Sequence, residues 1–483
     1  MTTATSLLAR RRFLPLFLTQ LLNAFNDNLY KTAMVLFVVY SVYNSEASEA
    51  QFSAIASGIF ILPFFLLSAI AGQLADLRDK AKIIRIIKAC EIGIMCVGAA
   101  GLLISWQSVQ CARGLPQCHI APPPLLAEMA IPLMLAALFA MGVHSTFFGP
   151  IKYAILPQHL DRKEVLSGTG LVEAGTYLAI LVGTILAGWI PVEIAALGIL
   201  ATAILGYLVS RRVPPAPPQG NEEMHLPLLE PFFKRHRNWL VRIVAFVPVG
   251  LVDQMIVSVR LIRATMHNKE VYYAILAISF FWTIGAVLFI QFPPLAKNTL
   301  MASKEVASLF LVIFSVGIAI GSVAVNALLK GVVSARYSPA AVVVMGLFVL
   351  GFYFVARSWQ HAPGEGLLDV SAFIAHPHAP LLMLMLLGIA ISGGMFVVPL
   401  YAFLTTKVAS DTAARTIAAN NIVNSGAMVG GSLLAVGLTA AGVPITEHLL
   451  LSAAMCLISA WLALRLYRVE QAEVEPDAVP SAD

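Results

Sequence analysis

Residues 16–42 read LFLTQLLNAFNDNLYKTAMVLFVVYSV, a stretch apolar enough to cross a bilayer that still carries polar and charged side chains at its centre. These side chains are Asn23, Asn26, Asp27, Asn28 and Lys31. A charge near the bilayer centre costs about 2.5–3.5 kcal/mol even on the most lenient insertion scale. The stretch therefore predicts a membrane helix whose central charges need a partner or a solvated cavity.

The rest of the chain has the same apolar character. Of its 483 residues, 59% are hydrophobic and only 12% are charged, which indicates a polytopic membrane protein. A bilayer core of about 30 Å takes about 20 apolar helical residues per crossing, and twelve runs of about this length are present. They cover 13–43, 51–75, 81–106, 128–149, 163–188, 190–210, 271–292, 304–330, 338–357, 379–406, 413–441 and 445–467. Their length favours helices over the short alternating strands of a barrel, so the fold class is all-α.

The Lys and Arg residues predict the orientation, because positive loops resist translocation. Most of them collect on one side of the predicted helices, including Arg10–Arg12 before the first helix and Arg465 and Arg468 after the last. Both termini are therefore predicted to be cytoplasmic.

The chain changes character after residue 210. Residues 211–238 form a Pro-rich linker with a basic end, and residues 239–267 are apolar but interrupted by charges. As a thirteenth crossing, this segment would place later basic loops outside, so we expect an amphipathic segment on the cytoplasmic face. The predicted organisation is a six-helix half over 1–210, a linker over 211–270, a second half over 271–467 and a disordered tail over 468–483.

Six plus six helices around a cytoplasmic linker is the plan of the major facilitator superfamily. Residues 72–82, GQLADLRDKAK, resemble its cytoplasmic loop signature, although Asp79 stands where the signature usually has Gly. This resemblance makes Asp76 and Arg78 candidate gating residues.

Four motifs together resemble the bacterial lysophospholipid transporter family: FLTQLLNAFNDNLYK (17–31), FFGPIKYAILPQHL (147–160), LSGTGLVEAGTYLAILVGTILAGW (166–189) and SGGMFVVPLYAFL (392–404). The resemblance extends over roughly 13–467. It implies a flippase of the bacterial inner membrane that moves lysophosphatidylethanolamine-like lipids from the outer to the inner leaflet by alternating access. It also implies membrane lipids and a separate acyltransferase, acting at the cytoplasmic face, as partners.

The candidate substrate site lies in the first half. Asp27 and Lys31 share a helical face, so one interpretation is an ion pair that only makes the helix tolerable in lipid. The other is that Asn23, Asp27 and Lys31 line a cavity, where Asp27 binds an ammonium and Lys31 or Lys152 a phosphate. The resemblance favours the second, because the position of Asp27 is a functional acid in the family.

Lys152 and Glu173 have competing interpretations of their own. Lys152 is either a phosphate ligand or a lysine that extends to the cytoplasmic interface. Glu173 either contacts substrate or forms a structural salt bridge with Lys152 or Lys31.

The second half carries almost no charge within its spans. Phe289 stands where several family members have an arginine, which suggests a second half suited to an acyl chain. Cys111 and Cys118 share an outer loop, so a disulfide can form between them if that face is oxidising.

The residues present also bear on other functions. A proton-coupled exporter of drugs or metabolites, using Asp27 or Glu173 as proton carrier, is the alternative within transport. No His is followed by Asp five residues on, which disfavours a glycerolipid acyltransferase, and no ATP-binding Gly-rich motif is present. We expect a non-enzymatic protein with no cofactor, no metal site and no nucleic-acid partner.

Overall fold

The computed structural model describes residues 7–118, 120–218, 252–253, 255–330, 334–360, 366–406 and 413–474. Within these ranges lie twelve helices of 19 residues or more: α1 (Leu14–Phe37), α2 (Glu46–Leu77), α3 (Lys80–Ala112), α4 (Pro124–Ala154), α5 (Arg162–Trp189), α6 (Val192–Ser210), α7 (Lys269–Asn298), α8 (Lys304–Leu329), α9 (Ser338–Arg357), α10 (Ala379–Thr406), α11 (Ala413–Ala440) and α12 (Ile445–Val474). The predicted fold class, an all-α protein with twelve membrane helices, is confirmed.

Ten of these helices are long and apolar enough to cross a membrane by length and composition. The other two are α1, whose centre is polar, and α5, in which only Leu178–Trp189 forms a shorter apolar helix. Many large apolar side chains on the helices are exposed, among them Leu197, Leu347 and Leu433. A helix surface of this kind suits contact with lipid rather than water.

The chain divides into two compact units. The first comprises Met1–Val42 and Ile59–Val259, and the second comprises Tyr43–Gly58 and Arg260–Asp483. In the first unit α1 packs on α5 and α6, and α3 packs on α4 and α6. In the second unit α7 packs on α11 and α12, and α9 packs on α10 and α12. Adding six to each helix number in the first unit gives the packing pairs of the second unit. This is the internal repeat typical of secondary transporters.

A buried carboxylate holds the segment 43–58 in the second unit. Glu49 accepts hydrogen bonds from Lys297 Nζ at 2.6 Å and from Asn298 Nδ2 at 2.5 Å. Farther along α2, a Cβ at Gly58 would lie 3.3 Å from Ser432 Cβ. The predicted first half, 1–210, included this segment, and the predicted domain boundaries stay predictions.

At the other end of the first unit, the start of the linker folds onto the loop between α2 and α3. Asp79 Oδ1 accepts from the backbone of Ala81 at 2.9 Å and of Ala216 at 3.3 Å. Asp79, the departure from the loop signature, is therefore the N-cap of α3. His159 Nε2 lies 3.3 Å from the Pro215 carbonyl oxygen, and burial lowers the pKa of this imidazole.

The structure describes only part of the predicted amphipathic segment, residues 239–267. Residues 239–251 lie outside the described residues, while residues 255–265 are helical with Arg260 and Arg263 exposed. Their position at the membrane surface stays a prediction.

The tail was predicted to be disordered from Arg468, but α12 continues to Val474. In this extension Glu470 is buried and accepts a hydrogen bond from the backbone N–H of Ala335 at 3.0 Å.

Cys111, in the last turn of α3, and Cys118, in the loop before α4, form a disulfide. This pairing was left open by the sequence.

Candidate functional site

The polar residues at the centre of α1 reach side chains on two other helices of the first unit. Asn26 Nδ2 donates to Glu91 Oε1 on α3 at 2.7 Å, and Asn23 Oδ1 accepts from Lys88 Nζ at 3.4 Å. Asn28 instead donates to the carbonyl oxygen of Ala24 on its own helix at 2.8 Å. Asn23 and Asn26 therefore connect α1 to two charged residues of α3, Lys88 and Glu91.

Asp27 is buried and has one free carboxylate oxygen. Its Oδ2 accepts from Ser145 Oγ on α4 at 2.5 Å and from Asn23 Nδ2 at 3.1 Å. Its Oδ1 has no hydrogen-bond partner among the described residues. An unsatisfied buried acceptor is unfavourable by about 1–3 kcal/mol, and by more when it is charged. Asp27 is thus held by two neutral donors while one oxygen remains able to bind a cation.

Lys88 and Glu91 form a fully buried ion pair one turn apart on α3. His144, buried on α4, places Nε2 at 3.4 Å from Glu91 Oε2. Three helices therefore contribute four ionisable side chains to one cluster, which we call the charged cluster: Asp27, Lys88, Glu91 and His144.

The charged cluster lies deep in the first unit. Lys88 is eight residues from the start of α3 at Lys80, and His144 is ten residues from the end of α4 at Ala154. At a rise of 1.5 Å per residue these separations are about 12 and 15 Å along the helix axes, close to half of a 30 Å hydrocarbon core.

Lys31 lies one turn beyond Asp27 and has different surroundings. Its ammonium lies 5.2 Å from the centroid of the Phe60 ring on α2. It interacts electrostatically with Asp27, but the two do not form one of the ion pairs within 4.0 Å in the described part of the chain. The interpretation of these charges as a direct internal pair therefore gains no support from the contacts.

Of the four other predicted site residues, two have side chains that the structure describes. Lys152 is half-buried in the last turn of α4, eight residues and about 12 Å along the axis from His144. Arg78 is exposed just after α2 ends. Asp76 lies in α2 and Glu173 in α5, but their side chains are outside those that the structure describes. The roles of these residues stay predictions.

Sequence reasoning missed four residues of this region: Lys88, Glu91, His144 and Ser145. A signal for the first two was present, because they are charges three residues apart within the apolar run 81–106, on one face of a helix. His144 and Ser145 gave no such signal, because their significance depends on the packing of α4 beside α1.

The second unit has a smaller polar network without charges. Tyr401 on α10 accepts from Trp282 Nε1 on α7 at 2.8 Å and from Asn424 Nδ2 on α11 at 3.2 Å. Ser279 Oγ donates to Asn424 Oδ1 at 2.6 Å.

Phe289 belongs to an aromatic cluster in this unit. Its ring centroid lies 4.6 Å from that of Phe314 and 5.7 Å from that of Phe292. Phe289 is therefore packed among other aromatic rings.

Among the residues that the structure describes, no group of three His, Cys, Asp or Glu side chains is placed to hold a metal ion.

The twelve-helix fold with its repeated packing, and a charged cluster enclosed at membrane depth, define a membrane transporter. The model of the Major Facilitator Superfamily matches residues 16–356. The chain belongs to this superfamily.

Curated relatives carry names that are more specific than that of the superfamily. The chain is 24% identical over 441 residues to the lysophospholipid transporter LplT of Enterobacter sp. (strain 638), covering 88% of each chain. It is 23% identical over 418 residues to LplT of Escherichia coli (strain SE11), covering 85% of this chain and 84% of the relative.

Solved structures share the fold. A bacterial homologue of the iron transporter ferroportin superposes with a TM-score of 0.64 at 11% identity, covering 95% of this chain and 98% of the homologue. A transporter of the POT family in complex with 5-aminolevulinic acid gives 0.65 at 12% identity, covering 97% and 99%. At these identities the likeness establishes the fold alone.

Proposed function

We propose that this protein is a lysophospholipid flippase that moves lysophosphatidylethanolamine-like lipids from the outer to the inner leaflet by alternating access. The observation that carries the proposal is the buried Asp27 carboxylate with an unpaired Oδ1. A primary ammonium is a suitable ligand for this oxygen, because charge-assisted hydrogen bonds are about twice as strong as neutral ones. The similarity to the lysophospholipid transporters supports this substrate class.

The charges around Asp27 suit a zwitterionic headgroup. The ammonium would bind at Asp27, and the phosphate would lie toward Lys31, whose ammonium faces only the ring of Phe60 among the contacts described above. Lys88 is less suited to this role, because Glu91 already neutralises it. Lys152 remains a second candidate for the phosphate, nearer to the cytoplasmic end of α4.

The second unit, taken by itself, contains an apolar region. Its aromatic cluster around Phe289 and Phe314 is apolar, and an acyl chain gains free energy on leaving water for such an environment. One polar half and one apolar half match an amphiphile better than a sugar.

The same proposal includes the cellular setting. We infer a bacterial inner-membrane location with both termini in the cytoplasm, following the distribution of Lys and Arg. Lipid delivered to the inner leaflet would then be available to a separate acyltransferase, which restores the second acyl chain. The protein itself would act by transport and not by catalysis.

The test uses purified protein in liposomes and measures inward movement of labelled lysophosphatidylethanolamine, with a sugar and a drug as control substrates. Asp27→Asn should reduce lipid transport roughly tenfold or more, since hydrogen bonds to charged groups contribute about 1.5–3 kcal/mol. Glu128→Gln removes an exposed carboxylate on α4 and should leave transport unchanged. No lipid movement by folded wild-type protein would refute the proposed function.

A further inference from the structure

His144 is the member of the charged cluster to which the proposed function assigns no role. It is buried, its Nε2 lies toward Glu91 Oε2, and its Nδ1 makes no hydrogen bond within the described part of the chain. It directly precedes Ser145, which binds Asp27 Oδ2. His144 lies within α4 and not in a loop.

The charges around His144 come from two helices. From α3, Glu91 Oε2 lies 3.4 Å away, and Lys88 pairs with the same carboxylate. From α1, Asp27 is close enough to interact electrostatically with the imidazole, and Lys31 follows one turn later. On α2, the residue that faces Lys31 is the uncharged Phe60.

The net charge of this group of side chains depends on whether His144 is protonated. When His144 is neutral, the two lysines balance the two carboxylates, and the free oxygen of Asp27 can bind an ammonium. When His144 is protonated, a cation of the protein itself lies beside Glu91 and interacts electrostatically with Asp27. Histidine is the side chain that most readily changes charge near neutral pH.

We propose that His144 is a proton-binding site, and that its proton competes with the ammonium of the substrate for Asp27. This inference rests on the proposed function, in which Asp27 binds the headgroup. On substrate binding, the imidazolium N–H bond breaks, its electron pair stays on the ring nitrogen, and the proton passes to water. The ammonium takes the place of the imidazolium as the cation near Asp27, so this carboxylate is not left as an unpaired buried ion.

Competition of this kind predicts a pH dependence that is specific to the headgroup. In liposomes with equal pH on both sides, the apparent KM for lysophosphatidylethanolamine should rise between pH 8 and pH 5.5. The rise should approach about tenfold per pH unit once His144 is largely protonated, the limit for exchange of one proton. Lysophosphatidylglycerol has no ammonium, and its KM should change much less.

The variant His144→Gln should flatten the profile for the ethanolamine lipid, whereas the control His267→Gln, at an exposed histidine, should keep the wild-type profile. A profile in His144→Gln as steep as in wild type, or equal profiles for the two lipids, would overturn the inference. Since this variant could fail to fold, proton release from wild-type protein in weakly buffered detergent gives a second measurement. Lysophosphatidylethanolamine should release up to one proton per bound lipid, lysophosphatidylglycerol none, and equal release by both would also overturn it.

The two proposals fail in different ways. If wild-type protein moves no lysolipid at any pH, the proposed function is wrong. If it moves lysophosphatidylethanolamine with a KM independent of pH, the function stands and the role of His144 is wrong.

Discussion

Gly206 on α6 faces the aliphatic arm of Lys88 on α3. A Cβ at position 206 would lie 2.7 Å from Lys88 Cε and 3.0 Å from its Nζ, so the end of the lysine side chain would have to move. The absence of a side chain at this point of α6 leaves the room in which Lys88 reaches Glu91 and Asn23. A glycine more than a hundred residues away thus belongs to the charged cluster.

We predict that Gly206→Ala displaces the Lys88 ammonium and reduces lysolipid transport. Overpacking a buried site typically destabilises by about 1–3 kcal/mol, so the melting temperature in detergent should also fall. The matched control is Gly198→Ala on the same helix, where the nearest atom, Leu29 Cδ2, would be at an ordinary 3.5 Å. Equal behaviour of the two variants in transport and melting would contradict the role of Gly206.

A second prediction concerns His159, which lies beside the start of the linker in the first unit. Because burial lowers the pKa of His159 in the folded state, the unfolded state binds more protons as the pH falls through the ordinary histidine value of about 6.5. The stabilising contribution of the neutral imidazole is therefore present above that pH and is lost on acidification. In His159→Gln, the melting temperature should fall less between pH 7.5 and 5.5 than in wild type. Replacing the exposed His267 by Gln should not change this difference.

A third prediction concerns orientation. In a variant without Cys90, Cys96 and Cys456, a membrane-impermeant thiol reagent added outside intact cells should label Ser45→Cys but not Arg212→Cys. Both positions are exposed, so accessibility to the aqueous phase decides the result. Labelling of Arg212→Cys under these conditions would reverse the predicted topology.

The sequence predicted the helices well because each crossing needs its own apolar run, and such a run is a local property. The ends of helices depend on single side chains, and these were harder to interpret. Asp79 looked like a departure from a loop signature, yet it caps α3. Glu470 looked like part of an acidic tail, yet it is buried and extends α12.

The candidate site was predicted only in part. Asp27 was identified because a carboxylate inside an apolar run is unfavourable without a partner. Its partner Ser145 is 118 residues away in sequence, and the neighbouring Asn23 and Asn26 bond to residues 65 positions away on α3. No periodicity relates Ser145 to Asp27, since this contact arises from how α4 packs beside α1. The helical spacing of Asp27 and Lys31 suggested a direct pair, but Phe60 on another helix provides a competing contact for the lysine.

A fourth prediction concerns Glu49 in the second unit. Its buried carboxylate binds Lys297 and Asn298, and removing one partner of a buried pair typically costs about 3–5 kcal/mol. Glu49→Gln should therefore lower the melting temperature in detergent by several degrees. Glu46→Gln is the matched control, since Glu46 is exposed and its oxygen accepts only from the Ile445 backbone at 3.3 Å, a bond that the amide retains.

The Glu49 prediction has a compensating variant. Glu49→Gln combined with Lys297→Met removes both charges, so stability should recover relative to Glu49→Gln alone. A melting temperature of Glu49→Gln within about a degree of wild type would show that the pair contributes little.

The last prediction separates the two interpretations of Asp27 and Lys31. If these charges served only to make α1 tolerable in lipid, Asp27→Asn with Lys31→Gln would remove the desolvation cost along with the attraction, and transport would stay near normal. The contacts argue otherwise, because Asp27 is held by Ser145 and Asn23 while Lys31 faces Phe60. We therefore expect the double variant to transport lysophosphatidylethanolamine no better than the worse single variant, with expression and melting temperature largely retained. Asp27→Asn should impair a glycerol headgroup less than an ethanolamine headgroup, because only the latter offers an ammonium. Wild-type transport by the double variant would make the charges structural, and the headgroup site would then have to be sought around Lys152 and Glu173.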